Sequence, residues 1–112
     1  MSLDYSTQEL MIIASAREIK DNERIFVGMR LPITAYGVAR LTHAPNAVGL
    51  FESGIARYEP ADGMLYTMCD APNQLGAAWT CGLIQIMGML SGGRVHAGFI
   101  GGAEIDKFGN IN

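Results

Sequence analysis

Ala47-Val48-Gly49-Leu50-Phe51-Glu52-Ser53-Gly54 sets a carboxylate at the point where an apolar run gives way to a glycine turn. The run from 47 to 51 is entirely apolar, as in a strand buried on both faces of a parallel sheet. Glu52 should therefore lie at the carboxyl end of that strand, the edge at which open α/β sheets bind their ligands. An acidic residue before Ser-Gly is also an ordinary way to leave a strand, so its position alone leaves a plain loop role open.

The residues before this stretch predict a strand and a helix that lead into it. Arg24 to Gly28 is a short β-branched and aromatic run ending in glycine, which predicts a strand. Pro32 suits the first turn of a helix, and Ala44-Pro45-Asn46 ends that helix. Strand, helix and strand in this order form a right-handed βαβ unit, so the loop at Gly28 and Glu52 should share one sheet edge.

Two further helices are predicted on either side of this unit. Ser6 and Glu9 have the spacing of a capping box, and the apolar spacing after them predicts a helix that ends near Lys20. Residues 80–90 carry apolar side chains at helical intervals before Gly92-Gly93, which predicts another helix.

The remaining segments predict loops and a last strand. Turn-forming residues dominate 53–76, so we expect loops there with at most one short strand, around Leu65-Tyr66-Thr67. Val95 to Ile100 predicts a buried strand, and Glu104 to Ile111 predicts a strand end and a hairpin turn. The pattern is α/β: an open, mostly parallel sheet with flanking helices, in a single domain over residues 1–112.

Composition excludes several classes of protein. With 49% hydrophobic and 17% charged residues, the chain is too apolar for disorder and has apolar surface to offer a partner. A net charge of −3 without a lysine or arginine cluster argues against nucleic-acid binding. No stretch is long and apolar enough to span a bilayer, and the start has no signal-peptide core, so we expect a cytoplasmic protein without membrane contact.

The cysteines and histidines do not form a recognisable site in the sequence. Cys69 and Cys81 are too far apart for a metal knuckle, and we expect buried free thiols. His43 and His96 have no second ligand three or four residues away, so we expect structural roles and no metal site. The predicted helix also carries Met87 and Met89, which we expect to fill the core.

Four segments follow one another in an order and spacing that together are specific. They are Phe26-Val27-Gly28-Met29-Arg30-Leu31-Pro32, Leu41-Thr42-His43-Ala44-Pro45-Asn46, Phe51-Glu52-Ser53-Gly54, and Gly98 to Asn112 with its Gly101-Gly102-Ala103-Glu104-Ile105-Asp106-Lys107-Phe108-Gly109-Asn110 core. The series resembles the β subunits of family I CoA-transferases, and the likeness is strongest to the glutaconate CoA-transferase type. It extends from about Tyr5 to the last residue.

The resemblance implies a fold, a reaction and a partner. It implies the sheet shared by CoA-transferases and sugar-phosphate isomerases, with Glu52 as the covalent nucleophile. It implies acyl-CoA and carboxylic acid substrates, coenzyme A as a substrate with no cofactor besides, and a homologous α subunit in a hetero-oligomer. Because the family's β subunits continue past the last residue into a Gly-x-Gly-Gly segment near the CoA site, we expect the chain to be incomplete at its carboxyl terminus.

Several small residues are candidates for supporting roles around Glu52. Each attack in CoA transfer creates an oxyanion, and the backbone N–H groups of Gly28 and Gly101-Gly102 are candidate donors to it. Glycine in these places also has a plain structural meaning, because it permits positive φ and close packing. Ser53 is a candidate to orient the Glu52 carboxylate or an ordinary turn residue, and Gly54 is expected to keep the approach to Glu52 open.

Arg30 departs from the family pattern. The family loop commonly has Gly-x-Gly before an aliphatic residue and proline, and Arg30 replaces the second glycine. The guanidinium has three possible consequences: a bidentate grip on a substrate carboxylate, a blocked pocket with lost activity, or a salt bridge that keeps Glu52 ionised. The sequence leaves these three open.

The leading functional hypothesis is a CoA-transferase β chain that needs an α chain for activity. The alternatives are a catalytically silent or regulatory subunit of the same fold, an acyl-CoA hydrolase in which water intercepts the anhydride, and a sugar-phosphate isomerase relative. The lack of a basic phosphate-binding cluster weighs against the last of these.

Overall fold

A five-stranded sheet with helices on both faces organises the computed structural model, which describes residues 4–112. The strands lie in the order β4-β3-β2-β1-β5, and β1 runs parallel to both β2 and β5. The shorter β3 and β4 are antiparallel to their neighbours. Along the chain the elements are α1 Thr7–Glu18, β1 Arg24–Val27, α2 Leu31–Leu41, β2 Val48–Phe51, β3 Ile55–Arg57, α3 Ala71–Gln74, β4 Trp79–Thr80, α4 Leu83–Ser91 and β5 Ala97–Phe99.

The alternation of side chains along the strands divides the core into two layers. One layer packs α1 and α2 against the face that carries Ile25, Val27 and Phe51. The other is smaller and packs Ile86 of α4 against the face that carries Phe26 and Leu50. The predicted α/β class, with a mostly parallel sheet between flanking helices, is therefore confirmed.

Local signals in the sequence produced the first two helices as expected. Ser6 caps α1: its hydroxyl accepts from the Glu9 N–H at 3.2 Å, and the Glu9 carboxylate accepts from the Ser6 N–H at 2.7 Å. These hydrogen bonds hold the pKa of Glu9 below its usual value. Pro32 lies in the first turn of α2, where its missing N–H costs nothing.

Tyr36 joins the central helix to the sheet. Its buried hydroxyl accepts from the Gly49 N–H at 3.0 Å and donates to the Arg57 carbonyl oxygen at 2.8 Å. Its ring meets Phe51 edge-on, with centroids 6.2 Å apart. Burial raises the pKa of Tyr36 above its usual value. The hydroxyl therefore stays neutral, and its hydrogen bonds join α2 to β2 and β3.

The segment after Glu52 differs from the prediction. Residues 55–57 form the antiparallel strand β3, which the turn-rich composition did not indicate, and β4 extends the sheet by a further pair. The prediction of a strand at Leu65-Tyr66-Thr67 is wrong. The Asp70 carboxylate accepts hydrogen bonds from the N–H groups of Tyr66 and Thr67, and this stretch forms a turn. The predicted helix from residue 80 begins at Leu83.

The expectations for sulfur and imidazole side chains had mixed outcomes. Cys69 is exposed and Cys81 is half-buried, so the prediction of buried thiols was wrong, although both are free. The ring Nδ1 of His96 accepts from the Arg24 N–H at 3.0 Å, which is a structural role. Met87 and Met89 pack partly buried against the smaller core layer, as predicted.

Candidate functional site

Glu52 occupies the first position of a three-residue turn that joins β2 to β3. The turn closes where Phe51 pairs with Ile55, and the Gly54 N–H donates to the Phe51 carbonyl oxygen at 2.9 Å. Gly54 has a φ of 101°, a left-handed conformation that a three-residue hairpin loop commonly needs at its last position. Ser53 is half-buried and Gly54 is buried, so Glu52 is the exposed residue of the turn.

The sheet register brings three loops to the same edge. Val27 pairs with Phe51 on one side and with Phe99 on the other. The next residue of each strand therefore lies at the carboxyl edge, with Gly28 in the middle, and neighbouring strands are about 4.8 Å apart. Glu52 and the Gly28 loop share this edge, as the βαβ prediction required.

Gly28 is tightly packed between its neighbours. A Cβ added there would lie 2.5 Å from the Phe99 carbonyl oxygen, so no larger residue fits without moving β5. Glycine is thus required at this position by strand packing alone. The predicted use of its N–H as an oxyanion donor stays a prediction.

Gly101 and Gly102 follow β5 at the same edge, and both are exposed. Within residues 4–112, neither N–H donates to a backbone carbonyl. Space around Gly101 is open, whereas a Cβ at Gly102 would overlap the Ile111 side chain. The oxyanion role of these N–H groups stays a prediction.

Two contacts fix the inner side of the Glu52 turn. The Ser53 hydroxyl donates to the Met68 carbonyl oxygen at 3.2 Å, so in this structure it is bonded away from the Glu52 carboxylate. Gly54 packs against Cys81, whose carbonyl oxygen an added Cβ would overlap, and the Cys81 N–H donates to the Gly54 carbonyl oxygen at 2.6 Å. The missing side chain of Gly54 therefore serves packing on the buried side of the turn.

Arg30 adopts a strained backbone conformation at the start of α2. Its φ of 67° and ψ of −117° lie in a region that favours glycine. The residue is exposed and lies between two clefts, of about 510 Å³ and 310 Å³. Glu52 lines neither cleft, and no ion pair joins it to Arg30 in the part of the chain that the structure describes.

The smaller cleft lies between the loops that follow β1 and β5. Chain connections leave β1 toward β2 on one side and return to β5 on the other, and open α/β sheets bind ligands at such a switch point. Its wall is largely apolar, and among residues 4–112 Arg30 is its one charged residue, beside Met11, Ser15, Met29, Leu31, Pro32, Phe99, Ile100 and Gly101.

Sequence reasoning missed the residues that hold the turn from behind. Asn73 is fully buried in α3 and donates from Nδ2 to the Met68 carbonyl oxygen at 2.7 Å. The signal that could have found it was Asp70-Ala71-Pro72, an acidic cap position followed by proline in a first helical turn. We expected only a turn there.

Residues 4–112 contain neither a metal-binding cluster nor a membrane span. That range has no group of three or more His, Cys, Asp or Glu side chains placed to hold a metal ion. No helix in it has the length and apolar character needed to cross a bilayer.

The fold corresponds to that of one protein family. The sequence model of the family described as Coenzyme A transferase matches residues 8–112, and the chain belongs to that family. A curated relative, the B subunit of 3-oxoadipate CoA-transferase from Pseudomonas knackmussii, is 38% identical over 96% of this chain. The B subunit of glutaconate CoA-transferase from Acidaminococcus fermentans is 29% identical over 97% of the chain. The chain spans 42% of the length of each of these two relatives.

Solved structures agree with the sequence comparison. Glutaconate coenzyme A-transferase from Acidaminococcus fermentans superposes with a TM-score of 0.81 at 25% identity, over 97% of this chain and 44% of that one. The decarboxylase AibA/AibB superposes with a TM-score of 0.72 at 29% identity, over 97% of this chain and 46% of that one. The same fold therefore carries proteins described by two different reactions.

Proposed function

We propose that this chain supplies the nucleophile of a CoA-transferase that moves CoA from an acyl-CoA to an acceptor carboxylic acid, together with an α subunit. The observation that carries the proposal is the position of Glu52, exposed on a fixed turn at the carboxyl edge of a parallel strand. Membership of the coenzyme A transferase family supports it, and the two relatives described as B subunits support a partner chain.

The proposed reaction needs the Glu52 carboxylate, an acyl-CoA donor and an acceptor carboxylic acid. A Glu52 carboxylate oxygen attacks the thioester carbonyl, the C–S bond breaks, and CoA leaves as a thiolate while a mixed anhydride forms. The thiolate then attacks the glutamyl carbonyl, and the first acid leaves as its carboxylate. The incoming acid reverses both steps on the resulting glutamyl-CoA thioester and leaves as the new acyl-CoA.

The surroundings of Glu52 can assist this sequence in two ways. Each attack places negative charge on a carbonyl oxygen, and the N–H groups of Gly28, Gly101 and Gly102 lie along the same sheet edge as candidate donors. Removal of one such donor typically costs about 2.7–4 kcal/mol of barrier. The fixed turn holds the Glu52 backbone in place, which lowers the entropic cost of bringing its carboxylate to the reacting carbonyl.

Arg30 is the candidate residue for substrate selection. It is a charged residue in the wall of the apolar switch-point cleft, and a guanidinium binds a carboxylate with two parallel hydrogen bonds. The relatives' descriptions name 3-oxoadipate and glutaconate, which are both dicarboxylates. We propose that the acyl chain lies in this cleft with its distal carboxylate on Arg30.

Covalent trapping on Glu52 tests the proposed function. The complete protein, co-expressed with its α partner, is incubated with a panel of acyl-CoAs, digested, and searched by mass spectrometry for CoA on the peptide that carries Glu52. Glu52→Gln keeps the shape of the side chain but removes the attacking oxygen, so it should show no adduct and no transfer. Glu59→Gln changes another exposed glutamate and serves as the matched control.

Four results would decide between the candidate functions. An adduct in the wild type and in the Glu59 variant, absent from the Glu52 variant, supports covalent transfer. Transfer at a near wild-type rate in Glu52→Gln contradicts the proposal. Loss of the acyl group without any acceptor acid would identify hydrolysis, and the absence of every adduct with intact partner would identify a silent subunit.

A further inference from the structure

The turn that carries Glu52 is held by a buried polar network behind it. The Met68 carbonyl oxygen accepts two hydrogen bonds, from the Ser53 hydroxyl at 3.2 Å and from Asn73 Nδ2 at 2.7 Å. Ser53 belongs to the turn itself, whereas Asn73 belongs to α3. The Met68 carbonyl is therefore the junction between the turn and the segment 66–75.

Hydrogen bonds within the chain hold that segment at both ends. At its start, the Asp70 carboxylate accepts from the Tyr66 N–H at 2.6 Å, the Thr67 N–H at 2.9 Å and the Thr67 hydroxyl at 2.6 Å. At its end, the Arg57 guanidinium donates to the Asn73 carbonyl oxygen at 2.8 Å and to the Leu75 carbonyl oxygen at 2.6 Å. Because both ends of the segment are held, its Met68 carbonyl can hold the Ser53 hydroxyl in place.

The hydrogen bonds that Arg57 makes to this segment are unusual for a buried charged side chain. The side chain belongs to a buried strand and is 4% exposed, yet the acceptors of its guanidinium are all backbone carbonyls, those of Glu59, Pro60, Pro72, Asn73 and Leu75. Burying a charge without a carboxylate is costly unless its donors are satisfied. Arg57 is the last residue of β3, the strand that leaves the Glu52 turn.

The second side of the turn is fixed independently. Gly54 packs against the Cys81 carbonyl, and its own carbonyl oxygen accepts a hydrogen bond from the Cys81 N–H. With Ser53 held by Met68 and Gly54 held by Cys81, two of the three turn residues are fixed, and the third is Glu52. The backbone of the nucleophile is thus fixed while its side chain stays exposed.

We propose that Ser53 and Asn73 are positioning residues for the nucleophile, and that they act through the Met68 carbonyl rather than on the Glu52 carboxylate. The inference rests on the proposed function, since it assigns these residues to the step in which Glu52 attacks. A carboxylate has to meet a thioester carbonyl within a narrow range of distance and angle, and a misplacement of about 1 Å costs roughly a hundred-fold in rate.

Ser53→Ala tests the network with little risk to folding, because it removes one hydroxyl from a half-buried position. In the complete protein with its partner, we expect kcat to fall about ten-fold with KM unchanged, because the attacking geometry is lost and binding is not. Ser53→Thr restores the hydroxyl and should restore kcat. Ser91→Ala is the matched control, because the Ser91 hydroxyl also donates to a backbone carbonyl, that of Met87 at 2.9 Å, far along the chain in α4.

Amide hydrogen exchange gives a readout that does not depend on activity. Ser53→Ala should speed exchange of amides in the turn at residues 52–54, while Ser91→Ala should leave them at the wild-type rate. Unchanged exchange in Ser53→Ala, or equal kcat losses in the two alanine variants, would contradict the proposal that the Met68 carbonyl holds the turn through Ser53. If the wild type forms no Glu52 adduct, the proposed function fails, and the exchange result still decides whether Met68 anchors the turn.

Discussion

At the scale of single residues, Arg30 is where local preference and observed conformation disagree most. A non-glycine residue at a φ of 67° and a ψ of −117° stores roughly 1–3 kcal/mol, and such strain tends to gather at functional sites. The surroundings that enforce it are the short connection from β1 and the start of α2. An arginine kept under strain beside an apolar cleft is consistent with selection for its guanidinium.

Arg30→Gly should therefore stabilise the protein and weaken its selectivity. Relief of the strain gains about 1–3 kcal/mol, and the extra freedom of glycine in the unfolded chain costs about 0.5–1 kcal/mol. A net gain near 1 kcal/mol in the free energy of unfolding, measured by urea titration, is the expected result. The transfer rate with glutaryl-CoA should fall more than the rate with pentanoyl-CoA, because only the first has a distal carboxylate.

Arg30→Ala separates the two effects. Alanine keeps the Cβ and hence the strain, but removes the guanidinium, so stability should stay near the wild-type value while the preference for glutaryl-CoA that the proposed carboxylate grip predicts should be lost. Equal rate losses for the two acyl-CoAs would contradict a carboxylate grip. Equal stability gains in the glycine and alanine variants would contradict the strain.

At the scale of elements, sequence patterns predicted those that have a simple periodicity. The capping box of α1, the proline of α2 and the apolar run of β2 each carry a local physical signal, and each element formed near its predicted bounds. β3 carries no such signal, because buried Arg57 interrupts its short apolar run. Glu52-Ser53-Gly54 followed by a β-branched residue has the form of a three-residue hairpin loop, and it was the available indication of β3.

The difference between local sequence signals and long-range contacts also explains what could be predicted of the site. Glu52 and Gly28 meet at one edge because a βαβ unit brings them there, which the order of elements determines. The bond from Ser53 to Met68 joins residues fifteen positions apart through an irregular segment. Such a contact depends on how residues 59–75 fold around Arg57, and no periodicity in the sequence encodes that.

The loop before α3 should make stability depend on pH. Hydrogen bonds from Thr67 hold the pKa of Asp70 below its usual value. A carboxylate whose pKa is lowered by folding stabilises the native state fully above its unfolded pKa, about 3.9, and loses that contribution as the pH falls through the lower folded value. Asp70→Asn should thus lower the melting temperature at pH 7 and reduce its fall between pH 7 and pH 3.

Asp62→Asn is the control for this loop, since the Asp62 side chain accepts no hydrogen bond from residues 4–112. It should leave both the melting temperature at pH 7 and its fall toward pH 3 close to the wild type. An Asp70 variant with the full wild-type pH dependence would show that the Thr67 bonds do not contribute to stability.

At the scale of the whole molecule, the two core layers are unequal. Of the residues that the structure describes, the α1 and α2 side buries twelve in one cluster, whereas the α4 side buries four. Much of α4 is exposed, including Ile84 at 82%, and residues 100–112 are exposed throughout. Segments with few buried contacts open locally at a smaller free-energy cost than the core.

Amide hydrogen exchange on this 112-residue chain should therefore separate the layers. We expect α4 and the residues after β5 to exchange faster than β1, α2 and β2, because opening the α4 layer breaks fewer apolar contacts. Ile86→Val removes one methylene from the smaller layer at a cost of about 1 kcal/mol, which should speed exchange roughly five-fold both in α4 and in amides that open only by global unfolding, since global unfolding also opens this layer. Ile25→Val makes the same change in the larger layer, where Ile25 is equally buried, and should speed the globally opening amides while leaving α4 unchanged, because local opening of the α4 layer keeps Ile25 packed. If Ile25→Val also sped exchange in α4 five-fold, the two layers would open as one cooperative unit and the inequality of their contacts would have no dynamic consequence.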